Sequence, residues 1–278
     1  MSGKRGKKLL YHKMNKYAVC GMGFIFPRHK EAIQKTGGKI ILTCDIDPEK
    51  KADYIDYKEM LESPRFADVD TVSVLVPNYL HAEICRAVLA KGKQVLCEKP
   101  LTIFDDYEGL EDVNVVLQLR HNPEVIGLKK KQKSANIDIY VKTYREPEYF
   151  KSWKGQPELS GGILYNMGVH YIDLLLHLLG EPVEIRKTYY TDKQAYGEIL
   201  FERGKGTYYI ELSEEWCPTI RRLTYNGLPL NIEGATIPLK GSEKVINLHT
   251  RVYEEMLKGN TTKLDEARKS LDLIKKLK

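Results

Sequence analysis

The sequence predicts an α/β chain built on two sheets: a doubly wound parallel sheet, then an open, mainly antiparallel sheet in an α+β arrangement. Three observations predict this. Strand-like and helix-like stretches alternate between residues 16 and 119, as in parallel α/β domains. A glycine turn, Gly21-Met22-Gly23, joins the first of these strands to the first helix. After residue 134 the helical stretches give way to alternating apolar and polar runs, the pattern of an antiparallel sheet covered on one face. The expected divisions are a basic disordered tail over 1–13, a first domain over 14–121 and a second over 122–278.

In the first half, Lys16–Cys20 reads as a strand and Pro27–Thr36 as a helix. Strand, glycine turn and helix in that order suit a dinucleotide, because glycine lets the backbone approach a pyrophosphate and the helix N-terminus offers N–H groups to it. The first domain is therefore expected to be a Rossmann domain, with Gly21, Gly23, Phe24 and Ile25 under the pyrophosphate. A glycine pair alone fits a plain turn equally well. The third fingerprint position holds Phe26 rather than Gly or Ala, which implies a looser helix–strand contact. Lys39–Cys44 is the next strand, and Asp45 stands at its end, roughly 20 residues past the turn, where a ribose-binding acid is expected. A carboxylate there would repel a 2′-phosphate, and Ile46 and Asp47 offer no arginine to offset it, so NAD is favoured over NADP. The competing reading is an acid that starts a turn before Pro48.

A short helix is expected over Tyr57–Glu62 and a buried strand over Val69–Val76. Pro77 and Asn78 then turn the chain into a helix, His81–Lys91, which Gly92 ends. The strand at 94–97 runs into Glu98-Lys99-Pro100. The carboxyl ends of parallel strands form the ligand crevice, and Pro100 biases Lys99 towards an extended backbone, so the lysine is aimed in a set direction. There it can polarise a substrate oxygen or lower the pKa of a hydroxyl. Taken by themselves these three residues also fit a solvated turn. Leu101–Leu110 is too short for a full crossover helix. Val113–Leu119 is a further expected strand, with Gln118 near its end and Arg120 and His121 beyond it on the ligand side.

In the second half, strands are expected over Ile137–Tyr144, Val183–Thr191, Tyr196–Phe201, Gly206–Glu214 and Ile220–Tyr225. Their many tyrosines suit a face packed on a helix or a second subunit. Phe150–Gly155 reads as an exposed loop in which Lys151, Trp153 and Lys154 could clamp an anionic or planar ligand. Gly161-Gly162 leads into an apolar helix from Val169 to Gly180. Asn166, His170 and Asp173 fall at i, i+4 and i+7, on one stripe of it. Polar groups on a buried stripe cost energy unless satisfied, and a histidine near neutral pKa is a natural proton acceptor for an alcohol. His177, one turn on, reads as structural. Helices over 249–258 and 263–277 are expected to cap the fold.

Composition narrows the function classes. The chain of 278 residues is 42% hydrophobic and 29% charged, and no apolar run reaches the 18 residues of a membrane span. The five cysteines show no Cys-x-x-Cys spacing, which suggests a reduced, cytoplasmic protein. Net charge is +6, but Lys4, Arg5, Lys7, Lys8 and Lys13 supply five of those charges, so the body is near neutral and unlike a nucleic-acid groove. The tail lacks the apolar region of a signal peptide. Either Met14 is the native start or residues 1–13 form a disordered arm. No repeat, P-loop or metal-ligand cluster is apparent, so no metal is expected.

These motifs together resemble the glucose–fructose oxidoreductase and inositol dehydrogenase family, which has Glu-Lys-Pro at a strand end and Gly-Gly followed by Asp-x-x-x-His. Here the second motif reads Gly161-Gly162, then Asn166 and His170, with Asn in place of Asp. Pro77–His81, Leu117–His121, Ser152–Gly155, Asn166–His170 and Asn247–Thr250 resemble the UDP-N-acetylglucosaminuronate 3-dehydrogenase branch, which itself carries that Asn. The chain is shorter than this branch between residues 104 and 113. The resemblance implies NAD-dependent oxidation of the C3 hydroxyl of a UDP-linked N-acetylated uronic acid, on the way to a surface polysaccharide. It also implies roles. Asp45 and Ile46 flank the adenosine ribose, while Pro77, Asn78, His81, Glu98 and Gln118 line the nicotinamide half. Lys99, His170 and Asn166 act at the reacting carbon, with His170 or Lys99 as base. Arg120, His121, Lys151, Trp153, Lys154 and Asp173 reach the substrate. Some relatives pass the hydride to 2-oxoglutarate and others release NADH, and a homodimer or homotetramer is implied by the open sheet face. The alternatives are another sugar or polyol dehydrogenase, an NAD-dependent redox glycosidase, and a non-catalytic NAD- or sugar-sensing regulator.

Overall fold

The computed structural model describes residues 14–131, 133–232, 236–238 and 245–278, so the expected basic tail lies outside the described residues. Strands β1 (Lys16–Cys20), β2 (Lys39–Cys44), β3 (Thr71–Val74), β4 (Gln94–Cys97) and β5 (Asn114–Val115) form a parallel sheet in the order β2-β1-β3-β4-β5. Helices α1 (Phe26–Lys35), α2 (Tyr57–Glu62) and α3 (His81–Ala90) connect them. The central strands are buried, as in a parallel sheet covered on both faces. The two-residue period of β1 sends Ala18 and Cys20 into the larger core and Tyr17 and Val19 into a smaller one on the opposite face.

The second sheet follows α4 (Pro123–Lys131). It is made of β6 (Ala135–Tyr144), β7 (Pro182–Tyr190), β8 (Gln194–Phe201), β9 (Gly204–Ser213), β10 (Ile220–Tyr225) and β11 (Leu228–Leu230), in the order β11-β10-β6-β9-β8-β7. All neighbours are antiparallel except β6 and β9, which run parallel, so the sheet is mixed but mainly antiparallel as expected. Between β6 and β7 lie α5 (Pro147–Lys151), α6 (Pro157–Ser160) and α7 (Val169–Leu179). Helix α7 covers the inner sheet face so closely that a Cβ on Gly206 would lie 2.8 Å from Leu175. The outer face carries a row of stacked rings, Tyr140–Tyr209 at 4.9 Å, Tyr209–Tyr196 at 6.2 Å and Tyr196–Tyr189 at 4.8 Å between centroids.

A small hairpin, β12 (Thr236–Pro238) with β13 (Val245–Asn247), leads into α8 (Leu248–Leu257) and then α9 (Leu264–Leu277). Helix α8 returns to the first sheet: Val252, Tyr253 and Met256 join Tyr17, Val19, Ala32 and Ile33 in the smaller core, and the Tyr17 and Tyr253 rings meet edge-on at 5.6 Å. Helix α9 contributes Leu271, Ile274 and Leu277 to the larger core that runs through both sheets.

The expected strand Val113–Leu119 is corrected to Asn114–Val115, followed by a 3-10 turn over Gln118–His121. Its outer side is met by the 260s segment, where Val115 N donates to Thr262 O at 2.9 Å, and among the described residues no sixth strand extends the pairing. The expected loop at Phe150–Gly155 is instead the end of α5 and a 3-10 turn over Trp153–Gly155. Helix α4 was not expected, because its lysines and Gly127 hide its weak apolar stripe. Its one sequence signal is Asn122, whose Oδ1 accepts from Glu124 N at 2.8 Å as an N-terminal cap.

Candidate functional site

A cleft of about 800 Å3 opens at the carboxyl ends of the first sheet and is closed on its far side by the segment that carries Trp153, Lys154, Asn166 and His170. One end is the glycine turn. Gly21 sits at φ +96, and a Cβ there would lie 2.6 Å from Leu75 O, so this glycine serves the turn and its packing on β3. Gly23 faces open space, with nothing within 4 Å of a Cβ. Asp45 closes the turn from β2: its Oδ2 accepts from Met22 N at 2.5 Å and its Oδ1 from Asp47 N at 2.9 Å. Phe24, Ile46 and Ile55 line this end and are 86%, 84% and 64% exposed, an unusual concentration of apolar side chains in water.

The other end lies beneath β4. The Lys99–Pro100 bond is cis. Lys99 Nζ donates to Asn166 O at 2.9 Å, which joins the two sheets across the cleft. Asn166 lies in a π-helical turn over Leu164–Gly168, before α7, and its Nδ2 donates to Tyr149 Oη at 3.0 Å. Gly161 and Gly162, both at φ +82, make the bend that delivers it, and a Cβ on Gly162 would lie 2.1 Å from Tyr190 Oη. His170 follows one turn on, with its Nε2 3.4 Å from Gln118 Nε2 and its Nδ1 buried without a partner among the described residues. Asn78 Nδ2 donates to Ser160 O at 2.8 Å, and the His81 ring nitrogens face Pro100 O at 2.6 Å and Val76 O at 2.8 Å.

Electrostatics differ between the two facing groups. Burial, reinforced by the Lys99 charge, holds His170 well below the ordinary histidine value, so it is neutral and free to accept a proton. Burial pulls Lys99 down from the usual lysine value and Lys154 adds to this, while the Glu98 carboxylate opposes them. Lys154 is itself lowered by burial and by Arg145. Arg145 lies over the Tyr149 ring and Lys193 over the Phe150 ring, so a cationic group flanks the cleft that includes two residues the sequence did not single out.

Among the expected site residues, Gly21, Gly23, Phe24, Ile25, Asp45 and Ile46 line one half of the cleft. Pro77, Asn78, His81, Glu98, Lys99 and Gln118 line the other, facing Trp153, Lys154, Asn166 and His170. Four expected substrate residues are not brought to it. Arg120 is spent on Asp173, with Nη2 donating to Oδ1 at 2.7 Å and Nε to Oδ2 at 2.9 Å, and also pairs with Glu266. Asp173 is therefore paired with Arg120 of the 3-10 turn and is not part of the cleft lining. His121, lowered by burial, lies on that same turn. Lys151 ends α5 outside the cleft lining. Glu98 borders the cleft, but its carboxylate is turned inward to two histidines.

Comparison with known proteins agrees with this geometry. Residues 15–123 match the oxidoreductase family model for the NAD-binding Rossmann fold, and residues 132–227 match that family's C-terminal α/β domain. The chain belongs to the glucose–fructose oxidoreductase and inositol dehydrogenase family. Its first sheet is thus an NAD-binding Rossmann domain. The cleft fits that cofactor: Gly23 leaves room over the turn, and Gln118 Oε1, an acceptor, and His170 Nδ1, a ring nitrogen, are buried with no partner among the described residues. Within the family, the WlbA (WbpB) dehydrogenase of Thermus thermophilus in complex with NAD and UDP-GlcNAcA is 27% identical, with a TM-score of 0.80 over 93% of each chain. Its complex with NAD and alpha-ketoglutarate gives 26% and a TM-score of 0.78 over 93% of each. Levoglucosan dehydrogenase of Pseudarthrobacter phenanthrenivorans is 30% identical over 45% of this chain and 36% of its own length. The chain spans 36% to 59% of the length of the curated relatives it matches first.

Proposed function

We propose that the chain is an NAD-dependent dehydrogenase that oxidises the C3 hydroxyl of a UDP-linked N-acetylated hexuronic acid to the 3-keto sugar nucleotide, a step towards surface polysaccharide. The observation that carries this reading is the meeting of Lys99, Asn166 and neutral His170 at one end of the nucleotide cleft. The likeness to the Thermus thermophilus enzyme, whose complex holds NAD and UDP-GlcNAcA, supports the substrate class. NAD, when bound, supplies the hydride acceptor. The ammonium of Lys99 holds the C3 oxygen and stabilises the charge that develops there. His170 takes the hydroxyl proton, since burial keeps it neutral. Asn166, holding Lys99 through its carbonyl, sets the lysine's direction. The cations Lys154, Arg145 and Lys193 suit the carboxylate and diphosphate of such a substrate.

Two partners belong to the same proposal. 2-Oxoglutarate is the candidate acceptor that reoxidises NADH in place, in line with the related complex with alpha-ketoglutarate. A second copy of this chain is the candidate cover of the outer tyrosine row; sedimentation at micromolar concentration is expected to give a dimer or tetramer, and a monomer would remove this part.

The test is thermal shift with NAD, then NAD plus UDP, UDP-N-acetylglucosamine or its uronate, followed by NADH formation. A ligand that binds only the folded state raises the midpoint. Further stabilisation and turnover with the UDP-uronate are expected. Turnover of unlinked polyols with no response to a UDP-sugar would overturn the substrate and favour a simpler polyol dehydrogenase.

A further inference from the structure

Behind the cleft, three buried side chains meet around one carboxylate oxygen. Glu98 Oε1 lies 2.8 Å from His29 Nε2 and 3.2 Å from His249 Nε2, and both histidines are fully buried. They come from different elements, His29 from α1 and His249 from α8, with their rings edge-on at 4.7 Å. Each second ring nitrogen is also engaged, so the protons can be counted.

His249 Nδ1 is 3.2 Å from Asn247 Oδ1. The orientation of that amide is fixed: its Nδ2 donates to Arg28 O at 2.9 Å and to Glu31 Oε2 at 3.0 Å, while its Oδ1 accepts from His249 N at 3.0 Å. Only an N–H at His249 Nδ1 satisfies this contact. A neutral ring would then turn the lone pair of Nε2 towards the lone pairs of Glu98 Oε1. One more proton belongs in this contact. His29 does not supply it. Ser73 and Tyr253 hydroxyls lie 2.7 Å apart and Tyr253 Oη is 2.9 Å from His29 Nδ1, so the relay Ser73 to Tyr253 to His29 to Glu98 closes with a neutral His29. Burial, which lowers His29, agrees.

We infer that Glu98 and His249 form a buried carboxylate–imidazolium pair that fixes the strand end carrying Lys99, which makes both of them positioning residues for that lysine. Glu98 also accepts from Lys99 N at 3.3 Å, so its carboxylate holds the lysine's backbone as well as facing the two rings. Burial alone would raise this carboxyl, but its bonds to His249 and His29 outweigh that and hold it well below the usual range. A metal ion fits less well. Tetrahedral zinc at 2.0–2.1 Å from each ligand separates ligand atoms by about 3.3 Å, whereas His29 Nε2 and Glu98 Oε1 are 2.8 Å apart. The role of Lys99 itself rests on the proposed dehydrogenase reading. The charged and titratable neighbours of the cluster include His29, Tyr253, Lys99, His81, Cys97 and, beyond them, His170; Lys99 is faced in turn by Glu98, Lys154, His81 and His170.

The first measurement needs no substrate. In protein labelled with nitrogen-15 in its histidine rings, at a pH about 1.5 above the ordinary histidine value, the signal lost in His249→Gln is expected to show two protonated ring nitrogens. Glu98→Gln is expected to turn that signal into a neutral tautomer. A neutral His249 in the wild-type protein, or stoichiometric metal whose removal alters the signal, would overturn the pair. The second measurement reads its effect on Lys99. Glu98→Gln is expected to move the basic limb of kcat/KM to lower pH by about one unit, since the carboxylate that raises the Lys99 ammonium is lost. A limb that stays in place would overturn the positioning role. Absence of turnover on any sugar would count against the dehydrogenase reading and leave the ring-nitrogen result standing.

Discussion

At the scale of single residues, Lys99 and Arg120 make opposite cases. Both are cations that the sequence places at the crevice, yet only Lys99 reaches it. Lys99→Met is expected to lower kcat by about 10²–10⁴-fold and to leave NAD binding intact, as read by turnover and by cofactor-induced thermal shift. Unchanged turnover would remove the lysine from the reaction. Arg120→Leu is expected to act on stability instead, because it leaves the buried Asp173 carboxylate without its guanidinium. A loss of about 3–5 kcal/mol in denaturant unfolding is expected, the usual cost of stripping one partner from a buried pair, with KM unaffected. A raised KM at unchanged stability would return Arg120 to the substrate. Sequence spacing shows that Asn166, His170 and Asp173 share a helical stripe. It does not show that Asn166 and His170 line the cleft with Lys99 while Asp173 meets Arg120 outside it. Nor could spacing reveal that the Glu98 carboxylate turns inward, since its partners lie 69 and 151 residues away.

At the scale of elements, several strands were legible nearly to the residue: Lys16–Cys20, Lys39–Cys44 and Ile220–Tyr225 have the boundaries their patterns suggest. The misjudged stretches are those whose form depends on a distant neighbour. The strand expected from Val113 is cut short where the Thr262 segment pairs with it, and α4 has too weak an apolar face to announce itself. The Gly161–Gly162 bend is the element on which the candidate site depends most. Gly162→Ala would need positive φ and would drive its Cβ into Tyr190 Oη. A loss of about 1–3 kcal/mol is expected, accompanied by lower turnover as Asn166 is displaced. An alanine variant with wild-type unfolding and turnover would show that the bend tolerates a side chain.

At the scale of the whole molecule, buried histidines make stability depend on pH. His29 and His170 are both held below 6.5 by burial, so between their folded and unfolded values the unfolded chain binds more protons than the folded one. Stability therefore rises with pH in that window, is complete above the unfolded value and is lost as pH falls through the folded ones. Glu98, also depressed, adds a loss of the same sign further into acid. The thermal midpoint is expected to fall as pH drops from about 7 to about 5, and His170→Asn is expected to flatten the curve. A midpoint constant across this range would contradict the burial described.

The return of α8 to the first sheet also has a consequence for how the chain is made. The Rossmann half is complete as a sheet once β5 exists, yet the face bearing Tyr17 and Val19 is closed by Val252, Tyr253 and Met256. On a ribosome adding about 5–20 residues per second, that face waits roughly 7–30 seconds for its cover. A nascent chain halted after β11 should thus bind chaperones through this surface and lose them when α8 emerges.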